Sequence, residues 1–235
     1  MIQYLQLQKH FDTATLQAEV NELTTALWKE HYNKKHYEGS WSIIPLRSIG
    51  GDADNPYSIH SSGSTKPEYK DTPLIAACPY IKSVLDFFQC EKTSVRLMKL
   101  NAGAVIKEHS DQEMSFEEGE VRFHIPVQTN ERVDFYILND RIPMKEGECW
   151  YLNLSLPHRV TNGGLTDRVH LVIDCLVNDW IKDLFNNDVL HKNDIDEAAA
   201  RRPLSAEEKI MIIQQLRSMN TAMGNELADK MEAEI

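Results

Sequence analysis

The strongest constraint on the fold is a series of short apolar segments between residues 94 and 176, with no helix-forming stretch among them. Residues 95–100, 121–127, 133–138, 148–154 and 168–176 read as strands. They are separated by Asn101-Ala102-Gly103, Thr129-Asn130, Asn139-Asp140, Glu146-Gly147 and Asn162-Gly163-Gly164. Gly, Asn and Asp suit the tight turns these junctions require. Strands this closely spaced exclude βαβ units and predict an antiparallel sandwich, jelly roll or barrel.

The flanks read differently. Leu16, Val20, Leu23 and Leu27 recur at helical spacing over residues 12–30, with Asp12 as the expected N-cap. Residues 37–72 are rich in Gly, Ser, Pro and Asp and read as loops around a short strand at 41–46. Ile81, Val84, Leu85 and Phe88 predict a helix over 79–88. Beyond Trp180, Ser205-Ala206-Glu207-Glu208 forms a capping box ahead of Ile210, Ile213, Leu216, Met219 and Met223 on one helix face.

Composition narrows the class. At 235 residues and 42% hydrophobic, the chain can bury a full core. A net charge of −11 without a basic stripe argues against nucleic acid or an anionic membrane as partner. No apolar run is long enough to span a bilayer, and Met1-Ile2-Gln3-Tyr4-Leu5-Gln6 does not read as a secretory signal. Cys78, Cys90, Cys149 and Cys175 show no CxxC spacing and read as free thiols, so a reducing, cytoplasmic location is expected.

The chemistry starts from His-x-Asp. Residues i and i+2 of a strand share a face, so His109 and Asp111 can converge on one metal ion. The motif alone is weak, because nine histidines among 36 acids in 235 residues yield about 1.4 such pairs by chance. Of the three present, His10…Asp12 marks a helix start and His36…Glu38 falls in a loop. Only His109…Asp111 lies in the strand-rich region, and His158 is the candidate third ligand. Two histidines and one carboxylate form the facial triad that suits non-haem Fe(II). Three coordination positions then stay open, two for 2-oxoglutarate and one for O2. The far carboxylate of 2-oxoglutarate calls for a buried cation, and Arg168, ten residues after His158, offers the matching fork.

With these residues the chain resembles the aspartyl/asparaginyl β-hydroxylase family of Fe(II)/2-oxoglutarate dioxygenases, and most of all its bacterial free-proline hydroxylases. The matching pieces are Gly103…His109-x-Asp111, Arg122-x-His124-Ile125-Pro126, Gly147-Glu148-x-Trp150, His158 and Arg168-x-His170-Leu171-x-x-Asp174. A weaker match extends upstream to Tyr37-x-Gly39-x-Trp41…Leu46-Arg47. The resemblance implies that His109, Asp111 and His158 bind Fe(II). It further implies that Arg168 binds the distal carboxylate of 2-oxoglutarate, and that Arg122 and His124 face the same cosubstrate or the substrate carboxylate. The peptidyl branch in vertebrates has Gly where Asp111 stands, so the retained acid favours a free-amino-acid-like substrate.

The expected fold is mainly β, a double-stranded β-helix (cupin-like jelly roll) with flanking N- and C-terminal helices. A dioxygenase domain is expected over residues 1–180 and a helical appendage over 181–235. The expected reaction hydroxylates a C–H bond of an amino acid, free or within a peptide, with succinate and CO2 released. Arg96 reads as either a solvated edge charge or a second carboxylate-binding cation. Trp41 and Arg47 are further substrate candidates, although packing and a surface charge are their plainer readings. His170 reads as structural, and the Glu-rich stretch 113–120 as a solvated run or a lid. The rival readings are a cupin-type metal isomerase, a small-molecule binder, or an interaction module that dimerises through the C-terminal helices.

Overall fold

The computed structural model describes residues 1–54, 67–111, 114–196, 206–218 and 222–233. The first compact unit runs from Met1 to Ile195. Its strands are β1 (Ile2–His10), β2 (Lys29–Glu30), β3 (Tyr37–Glu38), β4 (Trp41–Ile49), β5 (Tyr69–Asp71), β6 (Lys92–Leu100) and β7 (Val105–His109). They continue with β8 (Glu120–Gln128), β9 (Val133–Ile137), β10 (Asp140–Arg141), β11 (Glu148–Leu152), β12 (His158–Asn162), β13 (Arg168–Leu176) and β14 (Val189–Asp194). The helices are α1 (Thr13–Glu22), α2 (Pro79–Phe87) and α3 (Asp179–Asn187).

Two antiparallel sheets form. The larger has the order β14-β1-β11-β8-β13-β6-β4-β2, with β5 on β4, and the smaller has β10-β9-β12-β7-β3. Apart from the β9–β10 pair within the small sheet, the chain alternates between them from β6 to β13, which is the double-stranded β-helix that the family resemblance implies and a jelly roll as the strand pattern allows. The turns carry the expected glycines: Gly103 and Gly147 sit at φ 78° and 79°, where L residues are strained.

The period of two explains where the core lies. On β13, Val169, Leu171, Ile173 and Cys175 face one side, joined by Val95 and Leu97 of β6 and by Val121, Phe123, Ile125 and Val127 of β8. This face packs against Leu16 and Val20 of α1, Ile81, Val84 and Leu85 of α2, and Ile181, Leu184 and Phe185 of α3. The main hydrophobic core therefore lies outside the barrel, between the large sheet and the helices. The intervening positions, among them Arg96, Arg122, His124, Arg168, His170 and Asp174, are buried and polar. They line the inside of the barrel.

Several elements differ from the sequence expectation. Asp12 caps α1 through a 2.7 Å bond from Thr15 N, but the helix stops at Glu22 rather than near residue 30. Leu23 turns extended, and residues 29–30 pair with Ile43 and Ser42 of β4. Strand β1, unforeseen, inserts between β11 and β14. The first unit also extends past residue 180, because α3 joins the core and β14 pairs along β1.

The second compact unit spans Asp196–Ile235. Within it, α4 (Ala206–Ser218) and α5 (Ala222–Glu232) pack together, with Arg217 on Asp229 and Glu232 at 2.8 Å each. Ser205 of the expected capping box and Met219 lie outside the described residues, as does the side chain of Met223. No helix among the described residues is long and apolar enough to cross a membrane.

Candidate metal centre

His109 ends β7 and His158 opens β12, and the two residues are directly paired across the small sheet. Their rings lie 4.3 Å apart. Each ring is pinned from behind: His109 Nδ1 bonds Lys107 O at 2.7 Å, and His158 Nδ1 bonds Leu156 O at 3.0 Å. A carbonyl only accepts, so both Nδ1 atoms carry the proton and both Nε2 lone pairs are free to coordinate. Asp111 places Oδ1 3.9 Å from His109 Nε2. One ligand atom from each of the three residues falls within 4.8 Å of the others, close enough to share one metal ion. Two pinned imidazoles and one carboxylate are the donor set of an Fe(II) site with open positions. Burial drives the His158 pKa down to about 4, so the ring is neutral as a ligand must be.

Behind the metal ligands stands an ion-pair chain. Arg122 Nη1 bonds the second oxygen of Asp111 at 2.5 Å. The other edge of Arg122 grips Asp174 through Nε at 2.6 Å and Nη2 at 3.0 Å. Asp174 also accepts from Arg96 Nη2 at 2.7 Å. The register explains the meeting, since Arg122 on β8 lies opposite Asp174 on β13. Burial works against the Asp111 carboxylate, but the charges of Arg122, His158 and His109 outweigh it and hold its pKa below the ordinary value.

Arg168 is different. It is 2% exposed and its Nε has no hydrogen-bond partner. Its Nη2 lies 2.8 Å from His170 Nδ1, and its guanidinium stands 5.8 Å from the Phe135 ring centroid. Burial alone pulls its pKa down to about 9. A buried guanidinium with a vacant donor is unfavourable unless an anion completes it. His124 repeats the pattern, with a buried Nε2 that has no partner and an Nδ1 that lies 3.2 Å from His170 Nδ1.

These groups line one cavity of about 710 Å³. It holds His109, Asp111, His158, Arg96, Arg122, His124, Arg168 and Trp41, so the fold brings together all but one of the expected site residues. The exception is Arg47. A register shift between Pro45 and Arg47 turns its side chain away, onto Asp71 and the carbonyls of Lys92 and Tyr69. Trp41 forms a wall in which His31 stacks on it at 3.7 Å and Tyr32 stacks on His31 at 4.7 Å. The 113–120 stretch is solvated only in part where it is described: Glu117 and Glu118 are exposed, but Met114 and Ser115 are buried and Phe116 stacks on Phe185. Its residue 113 lies outside the described residues.

Sequence reasoning missed Asp174 as a site residue, although it shares the face of Arg168 at even spacing on one strand. It also missed His31, Tyr32, Asn33 and His36, which line the cavity from an irregular segment without periodic signal.

A family model described as aspartyl/asparaginyl β-hydroxylase matches residues 10–177. The chain belongs to that family. Among its relatives, L-proline cis-4-hydroxylase from Rhizobium meliloti (strain 1021) is 26% identical over 166 residues, which cover 70% of this chain and 57% of the relative. The chain thus matches little more than half the length of that relative. Two solved structures are also similar. A Pseudomonas putida prolyl-4-hydroxylase matches at 11% identity and a TM-score of 0.48, over 76% of this chain and 94% of the other. HygX from Streptomyces hygroscopicus, with nickel and 2-oxoglutarate bound, matches at 9% identity and 0.45, over 76% and 84%.

Proposed function

We propose that the protein is an Fe(II)/2-oxoglutarate-dependent dioxygenase that hydroxylates a C–H bond of an amino acid, free or within a peptide. The observation that carries this reading is the pairing of a His109–Asp111–His158 donor set with a buried, incompletely bonded Arg168 in the same cavity. Fe(II) with 2-oxoglutarate and O2 supplies the oxidising power, and succinate and CO2 leave. The chain supplies placement. Arg168 holds the distal carboxylate of 2-oxoglutarate, and Arg122 keeps Asp111 turned toward the ion. His124 is assigned to the cosubstrate side, and Phe135, between Arg168 and His158, helps to exclude water.

The substrate occupies the open side of the cavity, against the His31–Trp41 wall and near Arg96. A small amino acid fits that setting, because its carboxylate would meet the cationic end. L-Proline is the first candidate, by analogy with the relative. Fe(II) chemistry and four unbridged cysteines suit a reducing compartment, which makes the cytoplasm the proposed location. Self-association through α4 and α5, where Ile210, Met211 and Leu227 are exposed, is a separate proposal that size-exclusion chromatography tests.

The decisive experiment is anaerobic addition of Fe(II) and 2-oxoglutarate to the purified protein. A visible metal-to-ligand charge-transfer band is expected, followed on exposure to air by succinate release that a panel of amino acids stimulates. His109→Ala should abolish both signals. Absence of the band and of Fe(II)-dependent succinate in the unaltered protein would refute the assignment.

A further inference from the structure

One buried group has no part in the reading above. His170 is 1% exposed on β13 and contacts both Arg168 and His124 through a single ring atom. A guanidinium can only donate, so the 2.8 Å contact from Arg168 Nη2 requires an unprotonated Nδ1 on His170. His170 is neutral, since burial first and the Arg168 charge second push its pKa well below the ordinary value. Its proton must then sit on Nε2. The 3.2 Å contact between the two Nδ1 atoms then has one direction: His124 Nδ1–H donates into the single His170 lone pair that also accepts from Arg168, as the longer arm of a shared, three-centre bond. His124 is left with its Nε2 lone pair, the atom without a partner, in a ring that lines the metal cavity.

We infer that His170 is a positioning residue for the cosubstrate site. Its Nδ1 lone pair is the fixed acceptor that orients Arg168 for a dicarboxylate, and it sets the tautomer of His124 by the same contact. The location suits the task. His170 stands two residues from Arg168 on the same strand face, and it lies opposite Pro126, two residues beyond His124. No carboxylate holds Arg168 among the described contacts, so a neutral acceptor steers the guanidinium without neutralising it. A carboxylate at 170 would pair with Arg168 and compete with the incoming anion; an imidazole does not. The Nε2 lone pair of His124 correspondingly accepts from an N–H or O–H, such as a water or a donor group on the bound molecule.

This inference rests on the proposed 2-oxoglutarate site, and the test separates the two. The first measurement needs no cosubstrate. Long-range proton–nitrogen NMR on the histidine-labelled, metal-free protein should show His170 protonated at Nε2 only and His124 at Nδ1 only. A proton on His170 Nδ1 overturns the inference whatever the enzyme does. The second is calorimetric titration of 2-oxoglutarate into the protein loaded with Mn(II). His170→Leu should weaken 2-oxoglutarate about ten- to hundredfold, the effect of losing one hydrogen bond to a charged group. Mn(II) affinity should stay within about twofold. His170→Asn, whose Oδ1 replaces the Nδ1 acceptor, should recover most of the loss. Equal affinity for the wild type and the Leu variant, or equal weakening in Leu and Asn, refutes the positioning role. A wild type that does not bind 2-oxoglutarate refutes the cosubstrate site and with it the positioning role, while the NMR still decides the tautomers.

Discussion

At the scale of single residues, the site separates groups that are already satisfied from groups that wait. Arg122 has three of its donors spent on Asp111 and Asp174, and it works as a bracket. Arg168 waits. Its charge is buried without an anion, which is unfavourable in the ligand-free protein and becomes favourable on binding. Arg168→Met is therefore expected to raise the melting temperature of the metal- and cosubstrate-free protein, by about 1 kcal/mol or more in stability. The same variant should lose most of its affinity for 2-oxoglutarate. A lower melting temperature would mean that the guanidinium is stabilised in place. Legibility followed the same division. His109, Asp111 and Arg168 could be read because their spacing or their chemistry is local. The role of Asp174 could not, since it depends on Arg122 lying opposite on another strand. The outward turn of Arg47 came from a register shift, which leaves no mark on composition.

At the scale of elements, β13 carries two duties on its two faces. Leu171 is fully buried in the core beneath the helices, while its neighbours His170 and Val172 face the barrel interior. Leu171→Ala should destabilise the fold by about 2–5 kcal/mol. Metal affinity, followed by Co(II) absorption in the native state, should change little. A large loss of metal affinity without a matching loss of stability would contradict the assignment of faces. The central strands were legible because apolar and polar side chains alternate between a dry face and a lined cavity. The outer strand β14 (Val-Leu-His-Lys-Asn-Asp) pairs with β1 as the last strand of the sheet and reads as a polar loop, since one neighbour is enough to make it a strand. Strand β1 was missed for the opposite reason. It has neighbours on both sides, and buried Gln3 and Gln6 bury beside Leu5 and Leu7, which blurs the alternation.

At the scale of the molecule, the unit ending at Ile195 should fold by itself. A chain truncated after Ile195 is expected to melt cooperatively near the melting temperature of that unit in the full chain. Truncation after Trp180 removes Ile181, Leu184 and Phe185 from the core and strips β14 from one edge of β1, so its melting temperature should fall sharply. Equal melting of the two fragments would place the boundary at 180. The buried histidines set the pH response of the whole fold. Burial lowers the pKa of His31 to about 3, and burial with the neighbouring arginines holds His124 and His170 well below their ordinary value. In the unfolded chain each takes up a proton near pH 6.5. The unfolded state then binds more protons, so folding stability is intact above about pH 6.5 and falls below it. The slope approaches about 1.4 kcal/mol per pH unit for each such histidine. Urea midpoints of the metal-free protein from pH 7.5 to 5 should show this decline, and His170→Asn should make it shallower. A flat profile would mean that these rings are protonated in the native state.

The large sheet keeps its hydrophobic core on one side and its chemistry on the other. Selection can therefore act on the two faces almost independently. Changes at the cavity-facing positions of β6, β8 and β13 can redirect what is bound while the outward-facing positions go on holding the helices. Lineages with this barrel are free to drift in substrate while keeping the same fold.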